Sequence, residues 1–266
     1  MEYTGYLDFW FTGRPIVERV EPMVNLGIRR VDAWSWRSQP VAELAAECRR
    51  CGVIFNSVFD DEMGSLADPG DNELVMRSWS ESLEMACRYG IEHLYLFSNQ
   101  VDLVNGRSWT RRLSSNFTPA EQYANVLEQT GRILKLVEQT PVRVWVEALN
   151  EFHIKGGILV HSHDLAADWV RRFSHPQLQM VFDCYHQQRD SGNLIWGLEQ
   201  YAGLYASFHI ADVPTRQEPG TGEINYANLR AKLRQLGYDG LVGLEFYPST
   251  TEAEALERIK AIFPLK

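Results

Sequence analysis

The chain has 266 residues, of which 45% are hydrophobic, so it can bury either one large core or two smaller ones. Its formal net charge of −9 disfavours a nucleic-acid partner, which needs a basic surface. The chain starts without the basic and apolar segments of a signal peptide, and it has no run of 18 apolar residues that would span a membrane. Because four cysteines are too few for a disulfide scaffold, we expect a cytoplasmic protein.

Short apolar segments typical of buried parallel strands alternate with segments of helical periodicity. The predicted strands are residues 5–11, 29–34, 54–59, 93–97, 143–147, 179–183, 205–210 and 242–246. The predicted helices are residues 14–25, 40–50, 72–89, 119–138, 162–173, 193–200, 225–236 and 251–262. Eight such units predict an α/β fold, a single (β/α)8 TIM barrel, as one domain over residues 1–266. The alternative, an open doubly wound sheet, usually has a glycine-rich phosphate loop after its first strand, and residues 11–14 do not form one.

Four predicted strands in the second half of the chain end in side chains that can bind a metal: Glu147, Asp183, His209 and Glu245. In a (β/α)8 barrel the carboxyl ends of all strands meet at one face, where enzymes of this fold have their active sites. Three carboxylates and one imidazole favour Mn²⁺ or Mg²⁺, with Co²⁺ or Zn²⁺ as alternatives. We therefore expect a site for one divalent metal ion.

The two glutamates are also predicted to be catalytic. A metal ion that binds the carbonyl and hydroxyl oxygens of an α-hydroxy carbonyl compound makes the C–H between them more acidic. One carboxylate can then remove that proton, and a second can return it at the neighbouring carbon. This chemistry predicts that Glu147 and Glu245 are the proton-transfer pair, while Asp183 and His209 mainly hold the ion.

Four residues in loops after the strands are candidate substrate contacts. His186 follows Asp183 by three residues, and we expect it to donate a hydrogen bond to a substrate oxygen, with capping of a helix as the alternative. Arg216 lies in a glycine-containing loop and is predicted to hold a substrate carboxylate or hydroxyl group. His153 and Lys155 follow the fifth predicted strand and are expected to line the pocket.

Three motifs in the second half of the chain resemble those of a known family. They are residues 209–226, HIADVPTRQEPGTGEINY; residues 183–188, DCYHQQ; and residues 243–248, GLEFYP. With them the chain resembles the xylose isomerase-like barrels of sugar isomerases and epimerases, and within these the hydroxypyruvate isomerase family. The resemblance spans essentially the whole chain. It implies the same four metal ligands and proton-transfer pair, His186 and Arg216 as substrate contacts, and a homo-oligomer.

The segment after Glu147 departs from this family. The family usually has Glu-Pro-Ile-Asn followed by an arginine-containing turn, whereas residues 147–156 here read EALNEFHIKG. Glu151 is acidic where the family has a cation, although Lys155 can compensate, so an anionic substrate such as hydroxypyruvate is disfavoured. We expect a sugar or keto-acid isomerase. A ketose 3-epimerase, or a lyase or dehydratase acting on a keto sugar, would use the same metal site.

Two other classes of protein fit the sequence less well. A DNA-repair endonuclease on this barrel would need several zinc ions, more strand-end histidines and a basic face, and the chain has seven histidines in all. A sugar-binding subunit without activity would have no need of both glutamates. The predicted partner is therefore a small sugar or keto acid, and neither a nucleic acid nor a membrane.

Overall fold

The computed structural model describes residues 1–104, 107–111, 113, 116–150 and 157–264. The strands are β1 Glu2–Tyr6, β2 Arg30–Ser35, β3 Ile54–Phe59, β4 His93–Leu96, β5 Val101–Val104, β6 Arg107–Thr110, β7 Arg143–Val146, β8 Leu178–Asp183, β9 Tyr205–Ile210 and β10 Leu241–Leu244. The α-helices are α1 Val20–Asn25, α2 Val41–Cys51, α3 Asn72–Tyr89, α4 Pro119–Val137, α5 His163–Phe173, α6 Cys184–Asp190, α7 Leu194–Gln200, α8 Tyr226–Gln235 and α9 Glu252–Ile262. Short 3₁₀ helices cover Ile16–Arg19 and Pro69–Asp71.

Eight of these strands close into a barrel, in the order β1-β10-β9-β8-β7-β4-β3-β2. Neighbouring strands run parallel, as in the pairs β1–β10, β10–β9, β4–β7 and β7–β8. Strands β5 and β6 form a separate antiparallel hairpin. The structure thus confirms the predicted (β/α)8 TIM barrel. Among the described residues, no helix combines the length and the hydropathy that crossing a membrane requires.

Within this barrel the chain forms two compact units. One comprises Met1–Trp34, Pro40–Asn56 and Val181–Lys266, and its core contains the fully buried rings of Trp10 and Phe208. The other comprises Ser35–Gln39 and Ser57–Met180, with the buried rings of Trp145 and Trp169 in its core. The boundaries between the units fall inside strands β2, β3 and β8 and just before helix α2.

The helix ends follow the signals in the sequence. The Thr118 side chain accepts a hydrogen bond from the Glu121 backbone N–H, and the Glu121 carboxylate accepts one from the Thr118 N–H, with Pro119 in the first turn. This is a capping box at the start of α4. Helices α2 and α3 end at Gly52 and Gly90, which have φ values of 68° and 74°, a backbone region that glycine enters without steric cost.

The first strand differs from the prediction. Strand β1 ends at Tyr6, whereas the sequence predicted a strand over residues 5–11. The backbone N–H groups of Phe9 and Trp10 both donate to the Tyr6 carbonyl, so the chain turns here. The Trp10 indole then donates to the Leu244 carbonyl at 3.1 Å. The segment has the apolar composition of a strand because Leu7, Phe9 and Trp10 are buried in this turn.

The segment between the fourth predicted strand and the fourth predicted helix also differs from the prediction, since it contains the β5–β6 hairpin. Its strands are only four residues each. Such short strands give little periodicity for a sequence-based prediction to detect.

Candidate metal centre

The predicted ligand residues all lie at the carboxyl ends of barrel strands. Asp183 and His209 belong to β8 and β9, and Glu147 and Glu245 directly follow β7 and β10. All four are buried. Each offers one potential ligand atom, and these atoms lie within 4.8 Å of one another. Three carboxylates and one imidazole at this spacing are a donor set that fits a divalent ion of the Mg²⁺ to Zn²⁺ range.

A glycine in the neighbouring strand makes room for the histidine. Gly243 of β10 pairs with His209 of β9, and a Cβ atom at position 243 would overlap the edge of the imidazole ring. The ring therefore packs directly against backbone, with its Nδ1 atom 3.1 Å from Glu245 Oε2. The Tyr6 ring meets it edge-on, with 5.4 Å between the ring centroids. These contacts fix the direction in which Nδ1 points.

The guanidinium of Arg216 also contacts this group. Its Nη2 atom lies 2.5 Å from Glu245 Oε1 and 4.0 Å from Asp183 Oδ2. The planar guanidinium lies between two aromatic rings, 5.3 Å from the centroid of Phe9 and 5.1 Å from that of Tyr185. Arg216, which was predicted to contact substrate, thus lies beside two of the predicted metal ligands, Asp183 and Glu245.

Two buried carboxylates hold the loop that carries this arginine. Asp212 accepts hydrogen bonds from the backbone N–H groups of Gly220 and Ile224, at 2.9 and 3.0 Å. Glu218 accepts from the backbone N–H and the hydroxyl of Ser249, at 2.8 and 2.7 Å. Because both ends of the loop are tied down, the guanidinium is held in place before any ligand binds.

The pKa values of Glu245 and Asp183, the two carboxylates beside Arg216, are shifted in opposite directions. Burial acts to raise the pKa of Glu245, but the Arg216 charge and hydrogen bonds from His209 and Trp34 outweigh it, so the pKa lies below its usual value. Burial and the negative charge of Glu245 raise the pKa of Asp183, despite Arg216 and His209. Crowded carboxylates of this kind repel one another, and a divalent cation would relieve that repulsion.

The structure places His186 in the first turn of α6 and not in a loop. Its backbone N–H donates to Asp183 Oδ1 at 2.8 Å, so Asp183 caps the helix as well as belonging to the metal-binding group. The His186 ring is buried and edge-on to Tyr185, with 5.8 Å between centroids. His153 and Lys155 lie outside the described residues.

A further carboxylate near the site, Asp8, was not predicted from the sequence. Asp8 is half-buried just beyond β1, and its Oδ2 atom accepts the backbone N–H of Trp34 at 2.8 Å. The pKa of Asp8 is raised to about 6, mainly by burial and to a smaller extent by the negative charge of Glu245. The hydrogen bond from Trp34 and the charge of Arg19 act in the opposite direction. An acidic residue just after a strand was the available signal, but the strand had been predicted to continue to residue 11.

A closed parallel barrel with three carboxylates and a histidine at its strand ends is a (β/α)8 fold with a group of side chains that could hold a metal ion. The sequence model of the xylose isomerase-like TIM barrels matches residues 18–262. The chain therefore belongs to the xylose isomerase-like TIM barrel family.

Relatives of known name cover almost the whole chain. It is 31% identical to the hydroxypyruvate isomerase of Escherichia coli K12, over 96% of this chain and 97% of that protein. It is 27% identical to the 2-oxo-tetronate isomerase of Haemophilus influenzae, over 93% of both chains. Both relatives are named isomerases, in agreement with the enzyme class predicted from the sequence.

The fold is also similar to that of a solved structure, described as an AP endonuclease, family 2, from Brucella melitensis. The TM-score is 0.85, and the match covers 98% of both chains at 21% identity. At this identity the likeness shows the fold alone.

Proposed function

We propose that this protein is a divalent-metal-dependent isomerase of a small α-hydroxy carbonyl compound, a sugar or a keto acid. The observation that carries the proposal is the buried group of three carboxylates and one imidazole at the carboxyl ends of the strands. The names of the two isomerase relatives support the reaction class.

Asp183 and His209 would hold the ion, together with one oxygen atom from each of Glu147 and Glu245. The carboxylates favour Mn²⁺ or Mg²⁺, and the imidazole also allows Co²⁺ or Zn²⁺. When bound, such an ion supplies a positive charge that polarises the substrate carbonyl and acidifies the adjacent C–H.

The two glutamates would move the proton. The low pKa of Glu245 keeps it ionised at neutral pH, so we assign it the removal of the proton from the hydroxyl-bearing carbon. The electrons left on that carbon form an enediolate with the neighbouring carbonyl. Glu147 would return a proton at the former carbonyl carbon, and the hydroxyl proton moves to the former carbonyl oxygen. Arg216 and His186 would orient the substrate oxygens.

Proton exchange with solvent tests this proposal. Metal-depleted protein is incubated in D₂O with hydroxypyruvate, 2-oxo-tetronate, dihydroxyacetone and erythrulose, before and after Mn²⁺ is added, and deuterium incorporation is followed by NMR. We expect exchange only with the ion present, and a rate at least about 10³-fold lower in Glu245→Gln, because the base is lost. Glu138→Gln, which changes an exposed glutamate paired with His175, is the control.

Full exchange by the metal-depleted protein, or by Glu245→Gln, would contradict the proposal. Exchange that inverts the configuration of one carbon and leaves the carbonyl where it was would instead identify the alternative, a 3-epimerase.

A further inference from the structure

Asp8 lies at the same end of the barrel strands as the metal-binding group. Strands β1 and β10 pair with Gly5 opposite Leu244, so Asp8 and Glu245 both lie beyond the carboxyl ends of neighbouring strands. The residues on either side of Asp8 contact the site, because the Tyr6 ring meets His209 and the Phe9 ring meets Arg216. The hydrogen bond from the Trp34 backbone holds the Asp8 carboxylate in this position.

The charges around this position disfavour an anionic substrate. Arg216, the predicted partner of a substrate carboxylate, already has its Nη2 atom 2.5 Å from Glu245 Oε1, so part of its positive charge is engaged by that carboxylate. The charge of Arg19 lowers the pKa of Asp8, and the Arg19 guanidinium donates hydrogen bonds to the backbone carbonyls of Leu7 and Thr12. Asp8 therefore adds a negative charge beside a site whose cation is already engaged, and it would repel a substrate carboxylate.

The surfaces next to Asp8 suit a neutral, hydroxylated compound. The Phe9 ring packs against Trp34 and Tyr247, with centroid distances of 5.1 and 4.5 Å. Tyr247 remains 41% exposed, so this aromatic cluster reaches the surface. Aromatic rings cover the C–H groups of a carbon chain, while a carboxylate accepts strong hydrogen bonds from its hydroxyl groups.

We propose that Asp8 accepts a hydrogen bond from a substrate hydroxyl group, and that the substrate is consequently a neutral hydroxylated ketone or aldehyde and not a keto acid. The inference rests on the proposed function, since it names the substrate class of the same site. A terminal CH₂OH group has a hydrogen to donate to Asp8, whereas a carboxylate in its place has none and carries a like charge.

Two matched pairs of substrates test this selection. Dihydroxyacetone and hydroxypyruvate differ only by CH₂OH in place of a carboxylate, and so do erythrulose and 2-oxo-tetronate. With the Mn²⁺-loaded protein, we expect kcat/KM to be at least tenfold higher for the neutral member of each pair. In Asp8→Asn we expect a tenfold or greater loss for the neutral member, mainly through KM, with no loss for the acid.

The control variant is Asp68→Asn, because Asp68 is another half-buried aspartate that accepts a backbone N–H, from Gly70 at 2.9 Å. It should leave the preference unchanged. If Asp8→Asn folds poorly, Asp8→Ser serves in its place, since serine also accepts the Trp34 N–H. Unchanged Mn²⁺ affinity in the Asp8 variant separates substrate selection from damage to the site.

A preference of the wild-type protein for the acids, or a preference that Asp8→Asn does not shift, would overturn the inference and leave the isomerase proposal standing. If none of the four compounds exchanges protons, the proposed function fails, and calorimetric binding of erythritol and erythronate then decides on Asp8 alone. Wild-type protein that binds erythronate as tightly as erythritol would overturn the inference.

Discussion

Two groups of carboxylates and arginine in this protein differ in how completely they are neutralised. In the first, both oxygens of Asp60 accept hydrogen bonds from Arg37, at 2.6 and 2.8 Å, and one also accepts from the Ser82 hydroxyl at 2.9 Å. In the metal centre, one nitrogen of Arg216 lies 2.5 Å from one oxygen of Glu245. In the first group the arginine contacts both oxygens of the carboxylate, whereas in the second it contacts one oxygen of one carboxylate in a group of three.

The formal charges of the candidate metal centre can be counted. With all three carboxylates ionised and His209 neutral, the group carries three negative charges against the single positive charge of Arg216. The remainder of two equals the charge of a divalent ion.

The largest effect is expected in the cluster of Arg37 and Asp60. Arg37→Met leaves Asp60, which is 5% exposed, without its cation, and this should lower the free energy of unfolding by about 3–5 kcal/mol. Urea denaturation measures the loss. Arg50→Met, which breaks a solvent-exposed pair with Glu47, should cost far less. Equal losses in the two variants would show that the Arg37 cluster has no special structural role.

A buried imidazole extends the comparison to pH. Burial lowers the pKa of His163 from 6.5 to about 3. Below pH 6.5 the unfolded chain therefore takes up a proton that the folded protein does not. The free energy of unfolding consequently decreases as the pH is lowered. The loss at pH 5 should be about 2 kcal/mol. His163→Gln should remove this part of the pH dependence between pH 7 and 5, and His175→Gln is the control. An unchanged difference between the two pH values would refute the prediction.

The smallest expected effect is that of an aspartate-to-asparagine change on the free energy of unfolding, and it should have opposite signs in the two clusters. Asp183→Asn removes one of the crowded charges and keeps the cap of α6, because asparagine caps helices as well as aspartate does. We expect the metal-free variant to be about 1 kcal/mol more stable than wild type, with its stabilisation by Mn²⁺ lost. Asp60→Asn should instead destabilise, since it leaves Arg37 unpaired. A loss of metal-free stability in both variants would mean that repulsion between the carboxylates does not destabilise the candidate metal centre.

The sequence predicted the barrel and brought the four strand-end residues into one group because their signal is local. Each closes a short apolar run, and the fold gathers the ends of such runs. The pairing of Arg37 with Asp60 had no such signal, since the two residues are 23 positions apart and no motif links them.

Asp8 was missed for a different reason. A buried turn and a buried strand have the same apolar composition, so the segment after Tyr6 was predicted as strand and the acid within it as part of that strand. Arg216 was predicted to contact substrate, but its packing against Phe9 and Tyr185 was not predicted. Both rings are more than 25 positions away from Arg216 in the sequence. Tertiary contacts of this kind are invisible to local patterns.

The binding of Mn²⁺ to metal-depleted protein tests the central claim, that the three carboxylates and His209 form one divalent-metal site. In an electron paramagnetic resonance titration, the wild-type protein should remove one Mn²⁺ per chain from the free signal, while Asp183→Asn and His209→Ala should bind at least about tenfold more weakly. Wild-type protein that binds no Mn²⁺, or variants that bind it as tightly as wild type, would contradict the account.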